Sequence, residues 1–309
     1  MRAMPIAFIP SPSSSTLQLG PLSIHFYGLT LLVAIAAAVL VAGRRWTNRG
    51  GDWDLIFRVA VWGVAFGIVG ARLYHVATSW NELPNAWWGP FAIWKGGLGI
   101  WGGIFFGVLG GLYIVRKRLT HGDVLRFMDA AAPGLLVAQA IGRIGNYFNQ
   151  ELFGKPSTLP WALKIDPDHR PPGYAHFATY QPTFLYEIIW NLGLAGFLIW
   201  LGSHRKIKPP GLLALYVAGY SAFRMFEETL RIDYSVHVLG MRLNFWIATL
   251  ICVAGLAWFV WIQKRGKTEP LPLDGPKTDA RDFLRRKPSG YRKPPAPTYG
   301  KKSRSASRR

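Results

Sequence analysis

The chain has 309 residues, is 50% hydrophobic with 14 tryptophans, and carries a formal charge of +20. Its apolar residues gather into runs of roughly 20, the length a helix needs to cross a bilayer, which excludes an evenly patterned soluble domain. Its single cysteine, Cys252, excludes an intrachain disulfide.

In chain order, residues 1–20 form a polar, Pro/Ser-rich segment with no cleavable signal peptide evident. Seven spans follow, expected at Ile24 to Ala42, Leu55 to Thr78, Leu98 to Val115, Met128 to Gly145, Phe184 to Leu201, Leu212 to Leu230 and Arg242 to Ile262. Arg58 and Arg72 interrupt the second span. Arg58 is read as snorkelling to the interface, and Arg72 as a minor candidate for the site. The loop from Ser79 to Lys95 holds Trp80, Trp87, Trp88 and Trp94, which suit the headgroup zone. The third span is glycine-rich, including Gly96, Gly97, Gly99, Gly102 and Gly103. Small residues let helices approach closely in lipid, and close approach of a lipid headgroup is the functional alternative. The loop from Asn146 to Tyr180 is long for a helix connection, which points to function. From Lys264 onward there are 15 Lys/Arg against four Asp/Glu. That composition predicts a disordered tail attracted to anionic lipid, with no nucleic acid partner expected.

The expected fold class is therefore an all-α integral membrane protein. Residues 1–20 lie on the outer side, 21–264 form a bundle of about seven transmembrane helices, and 265–309 form a disordered, basic C-terminal tail. Basic residues cluster after spans one, three, five and seven, which places the amino terminus outside and the carboxy terminus in the cytoplasm.

Four polar clusters interrupt the spans: His25 to Gly28, Gly142 to Gly154, Gln181 to Glu187 and Arg224 to Arg231. On the topology above all four approach the outer side, which supports one shared site near the outer leaflet. Charged residues at a bilayer edge are costly unless they line a protected polar site. Arg143 and Arg224 are suited to hold a phosphate bidentately. Asn146 would fix an ester or hydroxyl. Helical spacing lets Glu228 meet both Arg224 and Arg231. Tyr27 and Tyr186 are candidate interface anchors. HExxH, GxSxG and Walker patterns are missing, so metalloprotease, serine hydrolase and P-loop readings lack their residues. No metal or other cofactor is expected.

At these residues the chain resembles the prolipoprotein diacylglyceryl transferase family. The signature Gly-Arg-x-Gly-Asn-(Phe/Tyr)-x-Asn-x-Glu-x-x-Gly matches at every fixed position from Gly142 to Gly154. Matching elements recur at His25, Tyr27 and Gly28, at Pro182 to Glu187, and at Arg224, Glu228 and Arg231. The resemblance implies transfer of a diacylglyceryl group from phosphatidylglycerol to the lipobox cysteine thiol in a preprolipoprotein signal peptide. It implies a multi-pass protein of the bacterial inner membrane. It makes Arg143 and Arg224 the essential pair, with Asn146, Glu151 and Gly154 shaping the site. Asn149, Glu187, Glu228, Arg231, Gly102 and Gly103 complete the expected substrate contacts. Trp101, Gln181 and Phe184 stand where many members have His, His and Gln. The thiol proton is therefore assigned to His25, Tyr27 or Glu151, or the arginine field alone lowers the thiol pKa. Two other classes compete. A different lipid-phosphate transferase would require an acidic metal-binding pair, and a transporter would require charges along a whole transmembrane path.

Overall fold

The computed structural model describes residues 8–20, 22–93 and 96–270. Most of the expected tail lies outside this range, as do Trp94 and Lys95.

Seven α-helices form the bundle: α1 (Phe26–Thr47), α2 (Trp53–Thr78), α3 (Ile100–Arg118), α4 (His121–Asn149), α5 (Thr183–His204), α6 (Gly211–Leu230) and α7 (Leu243–Arg265). Six are long and apolar enough to span a membrane. The exception is α6, which carries Arg224, Glu227 and Glu228 in its C-terminal third. The closest helix pairs are α2 with α3, α1 with α4, and α6 with α7, and α4 also packs on α5.

Short hairpins decorate the bundle: β1 (Thr16–Leu19) with β2 (Leu22–His25), β3 (Leu163–Lys164) with β4 (Thr179–Tyr180), and β5 (His237–Val238) with β6 (Met241–Arg242), all antiparallel. Two expected span edges shift accordingly. Ile24 belongs to β2, so the first helix starts at Phe26, and Arg242 belongs to β6, so the last starts at Leu243. The amino-terminal segment is tied to the long loop, where Ile9 bridges Leu163.

The glycines of α3 are explained by packing. A Cβ at Gly102 would lie 2.2 Å from the Gly70 carbonyl oxygen, and one at Gly103 would lie 3.4 Å from the Ala71 Cβ. Both faces are thus taken up by α2. Trp101 beside them is 68% exposed on the surface of α3. Arg72 is not at the arginine site. Its guanidinium donates to the carbonyls of Gly89, Pro90, Gly96 and Gly97 at 2.7 to 2.9 Å, pinning the loop between α2 and α3. Arg58 pairs with Asp54, one turn earlier, at 2.6 Å.

Gly102→Ala must push α3 away from Gly70 and Tyr74. The expected cost is about 1–3 kcal/mol of unfolding free energy, as for other overpacked sites. Denaturation of the purified protein in mixed micelles titrated with sodium dodecyl sulfate measures it, and a wild-type midpoint would refute the packing explanation.

Candidate functional site

Three helix ends meet at one buried carboxylate. Helix α4 is about 43 Å long at 1.5 Å per residue, longer than a hydrocarbon core, and it presents Arg143, Asn146 and Asn149 at its C-terminal end. Spacing of three places them on adjacent turns of one side. The start of α5 supplies Glu187, whose side chain is fully buried, and the end of α6 supplies Arg224. Arg143 Nε lies 2.7 Å from Glu187 Oε2, and Arg224 Nη1 lies 3.8 Å from the same oxygen. The other carboxylate oxygen accepts from the Tyr220 hydroxyl at 3.3 Å and from Asn191 Nδ2 at 3.4 Å. The side chains of Arg143 and Arg224 remain 18% and 17% exposed, so each keeps an edge for a ligand.

A second layer extends from each arginine. Arg143 Nη1 donates to Asn146 Oδ1 at 3.1 Å, and Asn146 Nδ2 donates to Glu151 Oε1 at 2.8 Å. Asn149 Nδ2 donates to that same oxygen at 3.2 Å. Glu151 can turn back because Gln150 caps α4 in the left-handed region at φ 51°, and the Glu151 N–H returns to the Asn146 carbonyl. A non-glycine residue there is strained by about 1 kcal/mol or more. The Gln150 side chain offsets this by donating to Asp166 at 2.7 Å and accepting from the Asp166 N–H at 2.9 Å.

Arg224 in turn contacts both Glu227 and Glu228. Glu228 also receives Arg242 Nε at 2.7 Å. The expected Glu228–Arg231 pairing does not form. Helix α6 ends at Leu230, so Arg231 has extended backbone and swings away to Asp233, at 2.7 and 2.9 Å. Arg242, 3.0 Å from Asp233, takes the expected position beside Glu228. Arg143, Arg224, Arg231 and Arg242 thus balance Glu187, Glu227, Glu228 and Asp233 in formal charge.

Arg143, Asn146, Asn149 and Glu151, the polar fixed positions of the 13-residue motif, thus form one connected network. A family profile described as prolipoprotein diacylglyceryl transferase matches residues 14–261. The phosphatidylglycerol–prolipoprotein diacylglyceryl transferase 2 of Streptomyces coelicolor is 44% identical over 264 residues, 83% of this chain and 81% of its own length. Enzymes of that name from Frankia alni and Cutibacterium acnes are 46% and 45% identical, over 84% and 83% of this chain and 69% and 87% of theirs. The chain belongs to the prolipoprotein diacylglyceryl transferase family.

Other residues of the family pattern fall around this core. Tyr27 lies against Gly145, where a Cβ would be 2.5 Å from its ring, and the ring is part-exposed. His25 occupies the N-cap position of α1 at the end of β2 and makes no side-chain capping bond. Gly154 is a junction. It bridges Arg231, its N–H donates to the Gln181 carbonyl, and a Cβ there would meet Thr183, Gln181 and the Leu230 carbonyl at 3.0 to 3.1 Å. Tyr186 accepts from Trp161 Nε1 at 3.0 Å. Gly102 and Gly103 are not joined to the cluster and face α2. Glu227, Asp233, Tyr220, Asn191 and Arg242 are the members that sequence reasoning left without a role. The signal for Arg242 was a charge opening an otherwise apolar span. Among the described residues, no three His, Cys, Asp or Glu side chains are grouped as a metal site requires.

Removing Glu187 leaves Arg143 without its buried counter-charge. Glu187→Gln is expected to lower unfolding free energy by about 3 kcal/mol, measured in the same mixed micelles. Asp233 adds a pH dependence. Burial works against its carboxylate, but the hydrogen bonds and charge of Arg231, and then the charge of Arg242, outweigh burial and hold its pKa below the ordinary 3.8. A depressed carboxylate contributes stability that is full above the unfolded value and lost as pH falls through the folded one. Wild type and Asp233→Asn should therefore differ in unfolding midpoint at neutral pH and converge as pH falls through the folded value, below 3.8.

Proposed function

We propose that the Arg143–Glu187–Arg224 cluster binds the phosphate of phosphatidylglycerol while a lipobox cysteine of a prolipoprotein signal peptide attacks the adjacent glyceryl carbon. The observation that carries this reading is the convergence of two part-exposed guanidiniums, from α4 and α6, on one buried carboxylate. In the reaction the thiolate sulfur forms a bond to that carbon. The carbon–oxygen bond to phosphate breaks, its electron pair stays on the phosphate oxygen, and glycerol phosphate leaves. Negative charge grows on the leaving oxygen, and preorganised cationic donors stabilise such charge most where water is excluded. Guanidinium forks suit phosphate geometrically as well as in charge.

The nucleophile is the thiolate, which a positive field favours. Glu151 is the proton acceptor. Its support is the chain Arg143–Asn146–Glu151: two amide donors hold Oε1, while the residue stands exposed at the cluster's edge. Asn146 thereby links the phosphate-binding arginine to the base. Tyr27 and His25 border the entrance from α1. Asn149, Gly154, Glu228 and Arg231 set the shape and charge of the pocket. Residues 8–20 and the hairpins at the site end face outward, and α7 ends toward the cytoplasm, in keeping with the basic residues after α1, α3, α5 and α7.

The test is transfer of labelled lipid from phosphatidylglycerol to a synthetic lipobox peptide by purified protein. Arg143→Ala and Arg224→Ala should each lower kcat/KM by about 100-fold or more, and Arg143→Lys should recover little, since an ammonium lacks the fork. Glu151→Gln should lower kcat/KM by about 100-fold or more. Transfer at the wild-type rate by Arg143→Ala would end this reading.

A further inference from the structure

A second group of arginines lies at the end of the bundle opposite the site. Arg45 closes α1, Arg49 follows it, Arg126 and Asp129 lie in the first turns of α4, and Arg205 follows α5. Arg49, Arg126, Asp129, Gly202 and Arg205 line a narrow cleft at the start of α6, too small for lipid chains. Two guanidiniums converge on its wall. A Cβ at Gly202 would lie 3.3 Å from Arg45 Nη2 and 3.4 Å from Arg49 Nη2.

Their existing partners are weak. Arg45 Nε donates to the Ala130 carbonyl at 3.2 Å, and Arg49 Nη2 donates to the Gly202 carbonyl at 3.0 Å. Arg45 Nη2 is buried and has no hydrogen-bond partner among the described residues. Among the described residues, neither arginine has a carboxylate within 4.0 Å. Asp129, the carboxylate facing them, is occupied in a different way. Its Oδ1 accepts the Leu213 N–H at 2.9 Å and so caps α6, whose N-cap residue is Pro210. Arg126 pairs with Asp123 at 3.0 Å and also holds the Glu269 carbonyl. Arg205 is exposed at the rim. Among the described residues four cations thus face two carboxylates, one paired with Arg126 and the other, Asp129, capping α6 while its single charge is shared between Arg45 and Arg49. Burying positive charge without a partner is costly, and an anion in the cleft removes that cost. Basic pockets between membrane helices suit anionic headgroups.

We propose that this cleft binds one phosphate group, supplied by the headgroup of an anionic lipid or by free phosphate, independently of the transfer chemistry. The site is composite, drawing on α1, α4 and the turn between α5 and α6.

Native mass spectrometry of the delipidated full-length protein tests this, with phosphatidylserine, phosphatidylcholine or inorganic phosphate added. Phosphatidylserine is used because it keeps the adduct separate from the lipid of the transfer reaction. Wild type and Arg143→Gln should each retain one phosphatidylserine in preference to phosphatidylcholine. Arg49→Gln and Arg205→Gln should each weaken that adduct about fivefold. Arg205 is exposed, so its variant folds even if the Arg49 variant does not. A rise in thermal midpoint with inorganic phosphate alone identifies the free anion as sufficient, whereas a rise only with phosphatidylserine identifies the headgroup. Equal retention of the two lipids by wild type with no response to phosphate, or an unchanged preference in folded Arg205→Gln, overturns the proposal.

Discussion

The carboxylate of Glu187 is the constraint on which the site end of the molecule depends. It is fully buried, and a charge in that position is stable only with cations and donors on every side. Arg143 from α4, Arg224 from α6, and Tyr220 and Asn191 all turn toward it. The three helices cannot slide against one another without leaving a charge uncompensated. A purely apolar seam between them would tolerate such sliding, because in lipid it has no hydrophobic force to fix its register. The polar cluster therefore specifies the packing of these helix ends.

Around that centre, charge is balanced in pairs and not by one counter-ion per group. Glu228 is shared by Arg224 and Arg242, and Asp233 by Arg231 and Arg242. The guanidiniums nearest Glu187 stay cationic at their exposed edges, while those further out lock the loop after α6. The opposite end of the bundle is built differently, with cations in excess and its buried carboxylate capping a helix. The two ends thus differ in how they treat buried charge, one self-neutralised and the other left short of anions.

Much of this was legible in the residues themselves. The spans follow from run length, and the positions of Arg143, Asn146 and Asn149 follow from helical spacing once α4 is known to continue to Asn149. The motif from Gly142 to Gly154 led to the arginine–carboxylate cluster because polar residues are expensive to keep at a bilayer edge without use. Three features were not legible. Arg231 could not be assigned to Asp233 without knowing that α6 stops at Leu230, since one more turn of helix would have carried it to Glu228. Arg242 read as the first residue of a span, yet its partners come from a hairpin whose register no local pattern fixes. Gly102 and Gly103 gave the same signal for helix packing as for headgroup contact, and the 2.2 Å approach to the Gly70 carbonyl, which gives Gly102 a packing reason, is a matter of helix placement that no local pattern encodes.

Glu228 has a consequence that reaches past its own neighbourhood. One of its oxygens meets Arg224, which belongs to the site, and the other meets Arg242, which anchors the β5–β6 hairpin. An anion that draws Arg224 away leaves the whole of that carboxylate to Arg242. The order of the hairpin and the affinity at Arg224 are then linked quantities, and linkage is reciprocal: whatever fixes the hairpin alters anion affinity by the same factor. The exposed hairpin, with Leu239 at its tip, is thus a surface from which an event at the protein's exterior reaches the Arg224 guanidinium through one shared carboxylate.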